Sequence, residues 1–343
     1  MTIHAAAAFV ECVRTQWLST ATLRLRHANV DLTDAVLAFP VAIVAHPAPF
    51  VVDEPFAPGS SGTRVSSLRG VDAAHLVLTD TDLSSCVFTG AFHLDQIRLE
   101  GRILFAEPPA GWRLHRGLPV RLSRRRTLAE EHHARAIAAA DSTRAHRWTR
   151  GPAHPDPALT PGPDDLAPVY RALRKASEDA KNEPDAADFY FGEMEMRRRD
   201  RERPLGERVV IAAYWLLSGY GLRASRAFAW LGAAMTVSVL LLMLWGLPNH
   251  DPKPRITREN TRASEESALV VERPDPRITG SLGSRVTAHR AGKAAEVVFN
   301  SVVFRSSGQN LTAPGTVVEM GSRLAEPVLV ALAVLAVRSR VRR

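Results

Sequence analysis

Four consecutive acidic and histidine residues form the first grouping in the chain that could do chemistry. Glu130, Glu131, His132 and His133 carry the carboxylate and imidazole groups that bind zinc or move protons. They follow Thr127, whose spacing to Glu130 fits a capping box at the start of a helix. Consecutive residues splay around a helix axis, so these four side chains do not converge on one ion. The sequence therefore predicts a solvated helix surface here.

A second acidic pair, Glu193 and Glu195, stands two residues apart in a helical pattern. That spacing places the two carboxylates on opposite faces of a helix, so we interpret them as solvated charges. The motifs HExxH, GxSxG, Walker A and GxGxxG do not occur in the sequence. We therefore predict a protein that is not an enzyme, with no catalytic, cofactor-binding or metal-binding residues and no cofactor.

The longest apolar segment of the chain covers residues 227–247 and contains no charged side chain. Its 21 residues reach about 31 Å as a helix, close to the ~30 Å hydrocarbon core of a bilayer. A helix buried in a soluble domain rarely stays apolar on every face for this length. The segment is therefore predicted to be a transmembrane helix.

Positive charge is dense before this segment and sparse after it. Because basic residues near a membrane span stay in the cytoplasm, we predict that the N-terminal part is cytoplasmic. Anionic lipid headgroups are the partner that such a basic cluster attracts. The juxtamembrane basic residues are Arg197, Arg198, Arg199, Arg223 and Arg226.

A second apolar segment, predicted to span at residues 316–338, precedes a basic tail at residues 339–343. A helix long enough to cross must include Glu319, Arg323 and Glu326, which lie on one helix face. Charges within a membrane face protein or water and pair with one another. We predict a second span that returns the C-terminus to the cytoplasm, and the alternative is an amphipathic helix on the membrane surface.

The net charge of +8 is unevenly distributed. Residues 1–105 hold ten acidic and seven basic side chains, so the positive excess lies in the rest of the chain, around the membrane segments. This distribution favours membrane topology and lipid attraction over binding of nucleic acid. The only two cysteines, Cys12 and Cys86, indicate neither a disulfide framework nor a zinc site.

Large apolar residues recur at every fifth position in the N-terminal third. Leu78, Leu83 and Phe88 follow this period, while Cys86 and Ala91 occupy a companion position two residues before a repeat position. A helix repeats every 3.6 residues and a strand every two, so a period of five indicates another repeating geometry. The alternative is an ordinary small β domain.

The segment TDLSSCVFTG resembles the pentapeptide-repeat family. The resemblance implies a right-handed β-helix with the three repeat residues in its core and the two companions beside them. His93 and Arg98 keep the period but are poor core residues, and a segment rich in Pro, Ser and Gly interrupts it between Phe39 and Gly62.

The segments ADFYFGEMEMRRRD and AYWLLSGYGLRASRAFAWL are similar to the juxtamembrane region of bacterial pentapeptide-repeat membrane proteins. The fold class expected is a degenerate right-handed pentapeptide-repeat β-solenoid followed by an α-helical hairpin and two membrane helices. The expected domains are a solenoid at 1–105, a basic helix and Pro-rich linker at 106–163, the hairpin at 164–203, a juxtamembrane helix at 204–226, the two spans, and an extracytoplasmic or re-entrant loop at 248–315.

These features together favour a protein-interaction scaffold at the inner face of a bacterial plasma membrane. The alternative is a channel-like oligomer with two membrane helices per chain, in which residues 297–312 form a degenerate pore loop and the charged stripe lines the axis. The expected partners are anionic lipid headgroups, an unknown protein and a second copy of the chain, without nucleic acid.

Overall fold

The computed structural model describes residues 1–50, 62–109, 111–115, 118–122, 124–140, 160–248, 255–259, 268–272, 281–304 and 311–341. The chain forms two compact units, Met1–Ala212 and Ala213–Arg342. The first unit contains a β-solenoid and helices. The second contains two helices that are long and apolar enough to cross a membrane.

The solenoid has about 4 turns of short strands that stack in parallel. Three sheets run along it, in the orders β1-β4-β7-β9-β10, β2-β5-β8 and β3-β6. The strands are β1 (Thr2–Ala6), β2 (Phe9–Glu11), β3 (Gln16–Trp17), β4 (Ala21–Arg26), β5 (Asn29–Asp31), β6 (Val36–Leu37), β7 (Val41–Ala45), β8 (Arg64–Ser67), β9 (Leu76–Thr79) and β10 (Arg98–Glu100).

The register of the first sheet gives the length of each turn. Ile3 pairs with Leu23, Leu23 with Ile43, and Ile43 with Leu78, so the third turn is longer than the first two. The extra length includes residues 51–61, which lie outside the described residues. The interruption begins later than the sequence predicts, because β7 still follows the regular register.

The five predicted repeat residues lie inside the solenoid. Leu78, Leu83, Cys86 and Phe88 are completely buried, and Ala91 is partly buried against the same core. Stacked apolar side chains thus fill the axis of the solenoid, as the five-residue period requires.

The five-residue period fails after Ala91. His93 and Arg98 are exposed, and Leu94 and Ile97 are the buried residues of this segment instead. His93 adopts a left-handed backbone conformation with φ of +50°. The turn at this residue shifts the phase, so that apolar side chains again point inward.

One corner of the solenoid is a column of left-handed residues, Arg14, Asp34, Gly70 and Gly90. The Asp34 amide donates to the carbonyl of Arg69, and the Gly70 amide donates to that of Gly90. A Cβ on Gly70 would lie 2.2 Å from Oδ1 of Asp34 in the turn before it. Glycine at this corner therefore allows both the positive φ and the close stacking of turns.

A β-hairpin and four helices follow the solenoid. They are β11 (Gly111–His115), β12 (Leu118–Leu122), α1 (Ala129–Ala140), α2 (Pro163–Asp179), α3 (Glu183–Arg199) and α4 (Leu205–Ser218). Helices α2 and α3 form the predicted hairpin, and the Asn182 side chain accepts a hydrogen bond from the Asp185 amide at the start of α3. Residues 141–159, the centre of the predicted linker, lie outside the described residues.

The second unit contains α5 (Ala224–Leu241), extended by π-helix at Leu242–Gly246, and also β13 (Arg255–Glu259), β14 (Ala268–Glu272), α6 (Ala288–Phe304) and α7 (Ala313–Val341). Gly219, Tyr220 and Gly221 all have positive φ and form the turn between α4 and α5. The segment expected as a loop therefore contains a strand pair and α6. Residues 305–310 of the predicted pore loop lie outside the described residues.

The carbonyl groups at the end of the π-helix are satisfied by side chains from later in the chain. Arg290 donates to the carbonyls of Met243 (3.0 Å) and Leu247 (2.7 Å), and the Thr312 hydroxyl donates to that of Trp245 at 2.6 Å. A cationic side chain at a helix C-terminus also complements the helix dipole. These bonds fix α6 and α7 against the end of α5.

We expect Leu83→Ala to destabilise the solenoid by about 2–5 kcal/mol, because it leaves a cavity in a fully buried column. Leu18→Ala is the matched control, since Leu18 is 71% exposed in the same solenoid, and its effect should stay within about 0.5 kcal/mol. Pulse proteolysis of the detergent-solubilised full chain in urea measures both. Equal urea midpoints for the two variants would contradict the stacked core.

Candidate functional site at the covered end of the solenoid

Helices α2 and α3 cover the last turn of the solenoid with aromatic and apolar side chains. Phe88 of the solenoid stacks on Phe105 at a centroid distance of 6.2 Å, and Phe105 meets Phe189 of α3 edge-on at 5.1 Å. Tyr170 of α2 is completely buried behind them. The solenoid and the hairpin therefore share one continuous hydrophobic core.

The carboxylate of Glu130, near the start of α1, binds the backbone of the last solenoid turn. Its two oxygens accept hydrogen bonds from the amides of Phe88 (3.2 Å) and Thr89 (2.8 Å). Glu130 is 3% exposed, and this burial raises the pKa of its carboxyl group. The bonds satisfy two backbone donors that the covering helices would otherwise leave buried without partners.

The neighbouring Glu131 is the centre of a buried ion-pair network. Its carboxylate accepts from Arg125 at 2.6 Å, from Arg135 and from the hydroxyl of Tyr170. Burial alone raises the pKa of Glu131, but Arg125 and Arg135 outweigh it and lower the pKa to about 2. The Tyr170 hydroxyl also accepts from the Leu128 amide at 3.0 Å, so one carboxylate ties α2 to the start of α1.

Helix α3 supplies a second buried acid to this network. Glu195 is 5% exposed and binds Arg135 at 3.3 Å and Arg198 at 2.9 Å. Burial raises the pKa of Glu195, but Arg198 and Arg135 lower it further than burial raises it. Arg135 therefore bridges Glu131 of α1 and Glu195 of α3.

Glu193 anchors the other side of α3. It is 2% exposed and pairs with Arg171 (3.0 Å), Arg174 (3.2 Å) and Arg197 (2.5 Å). Two of these arginines belong to α2. The acidic pair of α3 thus connects the hairpin internally through Glu193 and joins it to α1 through Glu195.

The prediction of solvated charges at residues 130–133 and at Glu193 and Glu195 is wrong. All six side chains are buried. Consecutive residues of α1 do splay around its axis, but α1 lies among the solenoid and both hairpin helices, so Glu130, Glu131 and His132 each meet a different buried partner. His132 contacts the Thr127 hydroxyl at 2.7 Å, and burial lowers the pKa of His132 to about 4.

The predicted juxtamembrane arginines divide between the two units. Arg197 and Arg198 are engaged by Glu193 and Glu195, so they are not free positive charges for lipid headgroups. In the second unit, Arg226 donates to the carbonyl of Trp215 at 2.8 Å and lies 5.1 Å from the centre of its ring. Arg199 lies 3.9 Å from Glu195, and Arg223 is half-buried at the start of α5.

The two acids of the charged stripe in the second unit are buried, whereas Arg323 is partly exposed. Arg323 donates to Glu319 at 2.7 Å. Glu326 is completely buried and accepts a hydrogen bond from the Ser238 hydroxyl of α5 at 3.0 Å. Of the predicted intramembrane charges, two therefore pair with each other and the third pairs with a neutral side chain.

Comparison of the chain with family models, with curated proteins and with solved structures finds no match. Among the described residues, no group of three or more His, Cys, Asp and Glu side chains could hold a metal ion. The covered end of the solenoid is a junction of buried ion pairs between α1, α2 and α3.

Arg125, Arg135 and Tyr170 are the members of the network that sequence reasoning missed. The signal available was the spacing of four between an acid and an arginine, which occurs at Glu131 and Arg135 and again at Glu193 and Arg197. This spacing predicts ion pairs on one helix. It does not reveal that the pairs are buried.

We expect Glu131→Gln to destabilise the first unit by about 3–5 kcal/mol, because it removes the ion-pair partner of the buried Arg125 and leaves Arg135 paired with Glu195 alone. Glu178→Gln is the control, since Glu178 is 52% exposed and pairs with Arg174 of its own helix, so its loss should cost less than about 1 kcal/mol. Urea unfolding of the full chain in detergent compares the two. A Glu131→Gln variant as stable as the control would contradict the network.

Proposed function

We propose that the chain is a non-enzymatic scaffold of the pentapeptide-repeat type, anchored by two helices in a bacterial plasma membrane, with its solenoid in the cytoplasm. The observation that best supports this proposal is the difference between the two ends of the solenoid. One end is covered by α1, α2 and α3, whereas the strands of the first turn pair on one side only among the described residues.

The first turn has the features of a protein-binding edge. β1 pairs with β4, β2 with β5 and β3 with β6, which leaves one edge of each strand without a partner in the described part of the chain. Phe9 and Leu18 are each 71% exposed beside these edges. Because open parallel edges accept an added strand, the occupant we propose is an extended segment of another protein.

Two observations support membrane anchorage. Outward-facing apolar side chains cover the candidate spans, with Leu324 76% and Val237 53% exposed, whereas a core helix of a soluble protein would bury them. Trp230 and Trp245 lie near the two ends of the first span, where aromatic residues favour the membrane interface. The distribution of arginines supports cytoplasmic termini.

The channel-like oligomer is less well supported. A stripe that lines an oligomer axis must lie on the outside of each chain, but Glu326 is completely buried and bonded to Ser238 of the same chain. We therefore favour the scaffold. Anionic headgroups remain proposed partners through the flanking arginines other than Arg197 and Arg198, and nucleic acid is not among the proposed partners.

A photo-crosslinking amino acid at position 9 should capture a second protein in growing cells, because Phe9 borders the open edges. The matched control is position 92, where Phe92 is 61% exposed on the fourth turn. We expect adducts, identified by mass spectrometry, at position 9 and none at position 92. Equal yields at both positions, or none at position 9, would argue against docking at the first turn.

Membrane topology is tested by labelling single cysteines with an impermeant maleimide on intact spheroplasts. Ser19 on the solenoid and Ser281 before α6 are exposed, and both native cysteines are buried, so background labelling should be low. We expect Ser281→Cys to react from outside and Ser19→Cys to react only after lysis. Reaction of both from outside, or release of the protein by carbonate washing, would refute the proposed anchorage.

A further inference from the structure

Arg323 lies between two acids of α7 that stand at helical spacings from it. Glu319 stands four residues before it and Glu326 three residues after it, so both carboxyl groups lie on the same helix face. In the structure Arg323 donates to Glu319 at 2.7 Å, while within the described part of the chain Glu326 accepts a side-chain hydrogen bond from Ser238 alone. One positive charge is thus available for two carboxyl groups.

The environment of Glu326 is poor for a negative charge. Its side chain is completely buried, and its Oε2 atom has no hydrogen-bond partner among the described residues. It lies near the midpoint of the candidate span Ala313–Arg338. An ionised carboxylate in such a place, with one neutral donor, is strongly disfavoured relative to the neutral acid.

As far as their residues are described, the helices packed around Glu326 bring no other charge to it. Helix α5 is antiparallel to α7, since Gly246 meets Gly315 while Ser238 meets Glu326, and its single charged residue, Arg226, lies near its start. Helix α6 meets α7 through Ser301 and Ser322. The titratable residues of α6 are His289, Lys293 and Glu296, which are exposed, and Arg290, which binds carbonyls at the end of the π-helix.

We propose that Glu326 holds a proton at neutral pH and that the second unit contains a proton-binding carboxyl group between α5 and α7. The stripe is then neutral overall, with ionised Glu319 paired to Arg323 and uncharged Glu326 bonded to Ser238. Release of the proton leaves a carboxylate that needs a counter-charge. Arg323 supplies it by leaving Glu319, so the two acids compete for one arginine.

The inference rests on the proposed membrane anchorage, and infrared spectroscopy of the full chain in lipid vesicles at pH 7 tests it separately. A protonated carboxylic acid has a carbonyl band resolved from those of carboxylates. We expect such a band in the unmodified protein and its loss in Glu326→Gln. Glu296→Gln is the control, because Glu296 is an exposed acid of α6, and it should leave the band unchanged.

Two further variants test the competition for Arg323. Glu319→Gln frees the arginine, so Glu326 should ionise and its band should disappear although Glu326 is intact. Arg323→Gln removes the shared charge, so Glu319 should also take up a proton and the band should grow. A band unchanged by Glu326→Gln, or one that persists in Glu319→Gln, would overturn the proposal. Either result in protein that resists carbonate washing would leave the anchorage standing.

Discussion

The covering of the last solenoid turn is the constraint on which the first unit depends. A stack of parallel turns ends in an apolar cross-section and in a row of backbone amides, and water cannot reach them once helices cover the end. Here Phe88 and Phe105 meet Phe189, and Glu130 accepts from the amides of Phe88 and Thr89. Helix α1 and the hairpin thus follow the solenoid in the chain and also cover its last turn.

The junction can bury so many charged side chains only because its acids are paired with arginines. Glu131 and Glu195 share Arg135, and Glu193 holds arginines from both hairpin helices. Such pairs contribute little net stability relative to apolar residues, but breaking one leaves an uncompensated charge in the core. The pairs connect α1, α2 and α3, and burial together with the neighbouring arginines accounts for the shifted pKa values of Glu131 and Glu195.

Much of the architecture could be predicted from the sequence, because it depends on local patterns. The period of five placed Leu78, Leu83 and Phe88 in a core, and the uncharged run at residues 227–247 corresponds closely to Ala224–Gly246. The junction could not be predicted in this way. The burial of Glu130 depends on a solenoid amide some 40 residues earlier in the chain, and reasoning helix by helix contains no information about such a contact.

Native-state hydrogen exchange of the full chain in detergent tests the central claim most directly. If the hairpin is the cover of the solenoid, the amides of Phe88 and Thr89 and those of α2 and α3 open together, with one shared free energy of opening. Glu130→Gln should lower that free energy for both groups alike. Exchange of α2 and α3 well before Phe88 and Thr89, with the solenoid amides unaffected by Glu130→Gln, would show that solenoid and hairpin are independent and would contradict the account.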